Sequence, residues 1–221
     1  KTYYLASKLI VTDNRALDTI TVNGDSVNVS NNIISLAANQ TYVIEAKDKA
    51  SNVTNLTIHT GSLSDYTFDL NNDNFKTSDD SRLETAKEKL EEIKAAESDH
   101  ASEAELAIID DLIANYDNLL QQIADLEAEI KDEADRGAAV PDIDHITSDD
   151  RENIEQILAG INATLEEDST HLTVEELNDL LIEKRELEDK LRRLDEVSEE
   201  LEDLTIVNQT NTDIIKTSDK L

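Results

Sequence analysis

The 221-residue chain contains no cysteine, which removes disulfides and thiolate chemistry alike. That absence fits a reducing cytoplasm and equally the many bacterial surface proteins that fold without disulfides. Methionine is absent as well, and the sequence starts at Lys1-Thr2-Tyr3 without an initiator. The expectation is a fragment of a longer protein, with neither a signal-peptide pattern nor an anchor within these residues. No apolar run approaches the roughly 18 residues that a membrane-spanning helix needs. Aromatic residues amount to 3%, and six of the seven lie at or before Phe75; Tyr116 is the exception. Basic residues are scarce: Lys and Arg number 20 against 51 Asp and Glu, for a net charge of −31. Such a field repels phosphate backbones and anionic lipid, so nucleic acid and membrane surfaces are expected to be poor partners.

The charge is unevenly placed. Residues 1–70 carry 5 Lys and Arg against 7 Asp and Glu, whereas the remainder carries 15 against 44. Two kinds of domain therefore meet near residues 61–78. Before that point the apolar rhythm is two. The phrases KLIVT, LDTITVNG, DSVNV, NIISLA, QTYVIEA and NVTNLTIHT are rich in Val, Ile, Thr and Tyr and read as strands. In TYVIEA, Tyr42, Ile44 and Ala46 share one face, and Thr41, Val43 and Glu45 the other. Turn signals separate the strands, and Asn23-Gly24 suits a two-residue hairpin. Six or seven short strands at this spacing imply a small antiparallel sandwich.

From Ser78 onward the rhythm becomes 3.5–3.6. Leu83, Ala86, Leu90 and Ile93 form one stripe; Ile109, Ile113, Tyr116, Leu120 and Ile123 a second, continued by Leu126 and Ile130. Ile154, Leu158, Ile161 and Leu165 form a third, and Leu177, Leu180, Leu187, Leu191, Leu194, Leu201 and Leu204 a fourth. Each is narrow and flanked by charge, as in bundle or coiled-coil helices. Ser102–Glu105 and Thr173–Glu176 are capping boxes. The first helix, of about 17 residues, spans about 25 Å, and the second, Glu103 to Asp135, about 50 Å. Half of the long helix thus needs cover, either from the return segment Gly137–Ile146 or from the neighbouring unit.

One phrase recurs: KTSDD at Lys76–Asp80, ITSDD at Ile146–Asp150 and KTSDK at Lys216–Lys220, with the threonines 70 residues apart. Ser78 and Ser148 are expected to cap the first helix of each unit, and the following aspartates to oppose the positive end of its dipole. The turns SDHAS (Ser98–Ser102) and STHLT (Ser169–Thr173) match at an offset of 71. His100 and His171 share one turn position, expected to be a left-handed helix-ending residue and not a metal ligand.

Residues 1–60 resemble the bacterial immunoglobulin-like (Big-type) modules of Gram-positive surface proteins. The phrases that carry this are KTYY, VTDNRALDTITVNG and TYVIEAKDKASNVT, which occur in the family's order. Ser51 stands where that family usually has glycine, so the turn is expected to be rebuilt. Residues 68–221, through DNFKTSDD, DHITSDDRENI and THLTVEELNDLL, resemble acidic α-helical repeats found beside such modules in extracellular proteins of Firmicutes. The fold class expected is therefore mixed and multidomain: an all-β immunoglobulin-like sandwich over 1–62, a linker over 63–76, helical repeat units over 77–146 and 147–216, and a truncated third unit from 217 to 221. Tyr66, Phe68 and Phe75 are expected to cement the junction.

The stretch Asp69–Asp80 places Asp69, Asn71, Asp73, Phe75, Thr77 and Asp80 at the spacing of a calcium loop. It lacks the central glycine and the final glutamate, and a linker leading into a helix cap is the preferred reading. Acidic runs such as Glu199, Glu200, Glu202 and Asp203 read as a solvated helix face. Asn28-Val29-Ser30, Asn52-Val53-Thr54 and Asn162-Ala163-Thr164 match the glycosylation sequon, as expected from composition alone. No phosphate loop, nucleophile elbow or zinc spacing is present. The expectation is no enzyme, no catalytic, cofactor-binding or metal residues and no cofactor. The resemblances imply a spacer in a secreted or wall-attached protein, presenting a distal catalytic or adhesive domain. Its partners would be other domains of the parent protein. The alternative is an adhesin-type module that itself binds a host protein or glycan.

Overall fold

A computed structural model describes the backbone of residues 1–14, 16–28 and 32–218, and side chains up to residue 200. Among these residues, β structure at the N-terminus is followed by four helices. Seven strands come first: β1 (Thr2–Tyr3), β2 (Lys8–Ile10), β3 (Leu17–Val22), β4 (Asp25–Val27), β5 (Ile33–Ser35), β6 (Thr41–Asp48) and β7 (Val53–Thr60). The helices are α1 (Asp80–Glu97), α2 (Glu103–Ala139), α3 (Arg151–Glu167) and α4 (Val174–Ser218). Short 3-10 turns at Thr77–Asp79 and Ser148–Asp150 lead into α1 and α3. By contact the chain divides into two compact units. The first comprises residues 1–71 and 81–120, the second residues 72–80 and 121–221.

In the first unit, five strands pair in the order β1-β7-β6-β3-β4, and β2 pairs with β5 in a second, two-stranded sheet. The expected arrangement is wholly antiparallel, but β1 runs parallel to β7. A strand of two residues at the sheet edge is free to take either direction, because no tight turn ties it to its neighbour. Ile20, Ile34, Ile44 and Ile58 come from both sheets and form one buried cluster. The alternation in β6 holds: Ile44 is buried between exposed Val43 and Glu45. Asn23 and Gly24 both take positive φ, 53° and 90°, and Val22 faces Asp25, which makes a two-residue turn matched to strand twist. Ser51 also keeps a positive φ of 70°, so the turn retains the backbone a glycine would favour.

In α1 and the first part of α2, the buried hydrophobic side chains include Leu83, Ala86, Leu90, Ile93, Ile109, Tyr116 and Leu119. Leu119, not Leu120, occupies the core: from Tyr116 the buried positions step 3-4-3 through Leu119, Ile123 and Leu126, a different phase from the expected 4-3 step. Ile157 is likewise buried between Ile154 and Leu158. Lys87–Asp117 (2.5 Å) and Lys94–Asp110 bridge α1 and α2 along the exposed edge.

The second unit has its core where the later part of α2 meets α3 and α4. Leu126, Val140, Ile154, Ile157, Ile161 and Leu180 belong to one buried cluster, with Ile130 and Ile146 packed against it. The far half of α2 is thus covered chiefly by neighbouring helices. Its helix runs on through Gly137–Ala139, and only Val140 and Ile146 of the expected return segment reach the cluster, while Ile143 is exposed. Side chains of Leu201 and Leu204, residues Val29–Asn31, the carboxylates of Glu202 and Asp203, and most of the expected third unit at 217–221 lie outside the described residues.

The two helix pairs share one register. The 3-10 turns start at Thr77 and Ser148, the shorter helices at Asp80 and Arg151, the longer at Glu103 and Val174, an offset of 71 each time. Buried positions follow it: Leu83 and Ile154, Ala86 and Ile157, Leu90 and Ile161, Ile109 and Leu180, Tyr116 and Leu187. The phrase containing Thr77 and Thr147, read at 70, is therefore one residue out of structural register. The expected serine caps shift accordingly. At the first turn the Lys76 amide donates to Asp79 Oδ2 at 2.9 Å. At the second, the amide and hydroxyl of Thr147 donate to Asp150 Oδ2 at 2.8 and 2.9 Å. A carboxylate reaching back to the start of the turn performs the capping that was expected of Ser78 and Ser148.

Candidate functional site

The most elaborated local sites are the two helical turns. In the second unit the Thr173 hydroxyl and amide both donate to Glu176 Oε2 at 2.7 Å, closing the capping box of α4. Burial works against the Glu176 carboxylate, but the Thr77 hydroxyl at 2.6 Å and the Thr173 donors outweigh it and hold its pKa below the ordinary value. Ahead of that box, the His171 amide bonds Asp168 and closes the turn. Among the described non-glycine residues only Asn23, Asn39 and Ser51 take positive φ. Neither His171 nor His100 is therefore the left-handed residue expected.

Residues 75–77 clasp this turn from one side. His171 Nδ1 donates to the Phe75 carbonyl at 2.9 Å, and the two rings stack at 4.1 Å with planes 12° apart. A carbonyl can only accept, so Nδ1 carries the proton. The Thr77 amide donates to the His171 carbonyl at 2.9 Å, and Lys76 Nζ to the Thr170 carbonyl at 2.9 Å. The Phe75 carbonyl and the Thr77 hydroxyl, the seventh and ninth positions of the calcium-loop spacing, are thus engaged with the His171 turn and Glu176.

The corresponding turn of the first unit meets the β strands. Tyr3 lies edge-on to His100 at 5.8 Å. The Tyr4 amide donates at 2.8 Å to Oε1 of Glu97, a residue only 1% exposed. Lys1 Nζ donates to the Ala96 carbonyl at 2.7 Å. Beside these contacts lies a cavity of about 400 Å³, with Leu5, Leu9, Leu36 and Leu56 on its apolar side and Lys8 and Glu105 on its polar side. Two hydrogen bonds from Ser102 hold Glu105 below the usual carboxylate range.

Tyr66 and Phe68 join the same unit's helices. Tyr116, fully buried, donates its hydroxyl to the Tyr66 carbonyl at 2.7 Å and accepts from the Phe68 amide at 3.0 Å. Its ring stacks on Phe68 at 5.8 Å, and the Arg82 guanidinium lies over the Phe68 ring at 3.7 Å. Burial raises the Tyr116 pKa, opposed by the Phe68 amide and by Arg82. Phe75 is placed otherwise, on His171 of the second unit.

One feature had no counterpart in the sequence reading. Glu133 is 7% exposed, and Oε1 of Glu183 is buried with no hydrogen-bond partner among the described residues. A Cβ on Gly160 would stand 2.1 Å from Glu133 Oε1, and one on Gly137 1.7 Å from Glu183 Oε1, so both glycines make room for carboxylates. Burial pushes both pKa values up; Arg136, 3.3 Å from Glu133, opposes the rise at Glu133, while the charge of Glu133 adds to the rise at Glu183 and Lys190 opposes it. The only local signal for this pair in the sequence is glycine inside a helix, at 137 and 160.

Among the described residues, no group of three or more His, Cys, Asp or Glu is placed to hold a metal ion. Glu199 and Glu200 are exposed on α4. In the sequon at Asn162, Thr164 is buried and Lys184 Nζ bonds the Asn162 side chain at 2.6 Å. No helix among the described residues is long and apolar enough to cross a membrane. Comparison with protein-family models, curated proteins and solved structures yields no match.

Proposed function

We propose that the chain is a non-catalytic spacer: an immunoglobulin-like β module followed by two copies of an acidic helical hairpin, within a secreted or cell-wall-attached bacterial protein. It holds a distal catalytic or adhesive domain away from the envelope. The observation that carries this reading is the recurrence at 71 residues of caps, helix starts and buried positions. A series of like units needs no ligand to account for its residues, and each adds length. Support for the β module comes from its two sheets, whose Ile20, Ile34, Ile44 and Ile58 form one buried cluster. The hydrogen-bonded turns also use up the side chains most suited to chemistry, His171, Thr77 and Glu176 among them. The acidic surface keeps neighbouring copies apart by like-charge repulsion.

The test is display. An epitope is placed at the end away from a wall anchor, with the whole chain, the chain lacking one helical hairpin, or no chain between them. Antibody access should fall stepwise as units are removed. Access independent of the number of units overturns the spacer reading.

The adhesin-type reading draws on a different observation, the 400 Å³ cavity with exposed Leu56 (46%) in its wall. Its occupant would be a host protein or glycan. Saturable binding on a protein or glycan array, lost with Leu56→Asp, would establish it in place of the spacer.

A further inference from the structure

The site that clasps the His171 turn has a counterpart 71 residues later. Asn72, Phe75, Gln122 and Leu126 line a cavity of about 270 Å³ that Asp168 and His171 complete. Ile143, Ile146, Arg193 and Val197, each 71 positions further on, line a cavity of about 250 Å³. Among the described residues, the wall of this second cavity contains no counterpart of the Asp168–His171 turn. The difference in burial follows: Phe75 and Thr77 are 4% and 3% exposed, whereas Ile146 is half-buried, Ser148 is exposed and Ile143 is 44% exposed.

We propose that the surface formed by Ile143, Ile146, Ser148 and Val197 receives the histidine-centred turn of a further helical hairpin, of the type spanned by residues 148–218. This rests on the hairpin-repeat part of the reading above and not on the cellular location. The partner's chemistry is dictated by the occupied site. Its histidine donates Nδ1–H to the Ile146 carbonyl, as His171 does to Phe75. The Ser148 amide meets the histidine carbonyl, and its hydroxyl meets the capping-box glutamate, the roles that Thr77 plays toward His171 and Glu176. Ile146 replaces ring stacking with apolar contact, and Thr147 replaces the ammonium of Lys76. A second copy of this chain is the poorer occupant, since both of its turns are already covered, His100 by Tyr3 and His171 by Phe75.

The test lengthens the full chain after Ser218 by a second copy of residues 148–218, which preserves the 71-residue register. Amide hydrogen exchange at Ser148 is compared with the unextended chain, alongside helix content by circular dichroism. Docking slows Ser148 exchange by about tenfold or more, and Ile146→Asp in the extended chain reverses the slowing. If helix content rises by the added hairpin while Ser148 exchanges as before, the docking proposal is overturned and the repeat reading stands. If the added copy brings no helix, the repeat reading fails and the proposal with it. If the unextended chain self-associates and slows Ser148 in proportion to concentration, a second copy is the occupant and the proposal is wrong.

Discussion

The His171 ring is bonded to the Phe75 carbonyl at 2.9 Å and stacked on the Phe75 ring at 4.1 Å, across 96 residues of sequence. One side chain thereby receives both an apolar cover and a specific acceptor. Phe75→Ala removes the cover and leaves a cavity at a site 4% exposed. The expected loss is about 3–5 kcal/mol from the second unit, read by urea denaturation. A loss below about 1 kcal/mol would show that the stack contributes little.

In the first unit Tyr116 is an anchor of a different kind, its hydroxyl bonded on both sides. Tyr116→Phe leaves the Phe68 amide and Tyr66 carbonyl without their partner while preserving the ring. About 1–3 kcal/mol should be lost. Equal stability of the variant and the parent would mean that water replaces both bonds.

Glu133 and Glu183 should give the second unit a dependence on acidity. Burial raises both pKa values in the folded state above the ordinary 4.5. The folded state therefore binds protons more tightly than the unfolded one, and the resulting stability is present below about pH 4.5 and lost as pH rises through the folded pKa. Glu183→Gln should raise the melting temperature at pH 7 and have a smaller effect at pH 4. The difference between parent and variant separates this from the general relief of repulsion on acidification. An identical difference at the two pH values would remove the assignment.

Ser51 sits at φ 70°, where a side chain is disfavoured. Ser51→Gly should therefore stabilise the β sheets by up to about 1 kcal/mol, less the entropy a glycine adds to the unfolded chain. Thermal melting of the full chain reads it out. A destabilised variant would indicate that the serine makes a compensating contact in the turn.

Local rules carried much of this architecture. The strand phrases, the Asn23-Gly24 turn, the capping boxes at Ser102 and Thr173 and most of the helix stripes were legible, because alternation, capping and amphipathic spacing act within about four residues. Leu119 and Ile157 escaped because the apolar letters allow more than one phase of the same 3-4 step, and burial depends on which neighbour arrives.

What the sequence by itself determined is where strands give way to helices, how the helices begin, and where the negative charge lies. Tertiary structure alone decided that caps and cores recur at 71 and not at the 70 of the repeated phrase, since packing follows turns of helix and not matching letters. It also decided that Glu97, Glu133 and the Glu183 oxygen are buried and that Phe75 belongs with a histidine 96 residues away. Those are long-range outcomes: a carboxylate or a ring is enclosed only when a distant segment closes over it, and no local pattern encodes the meeting.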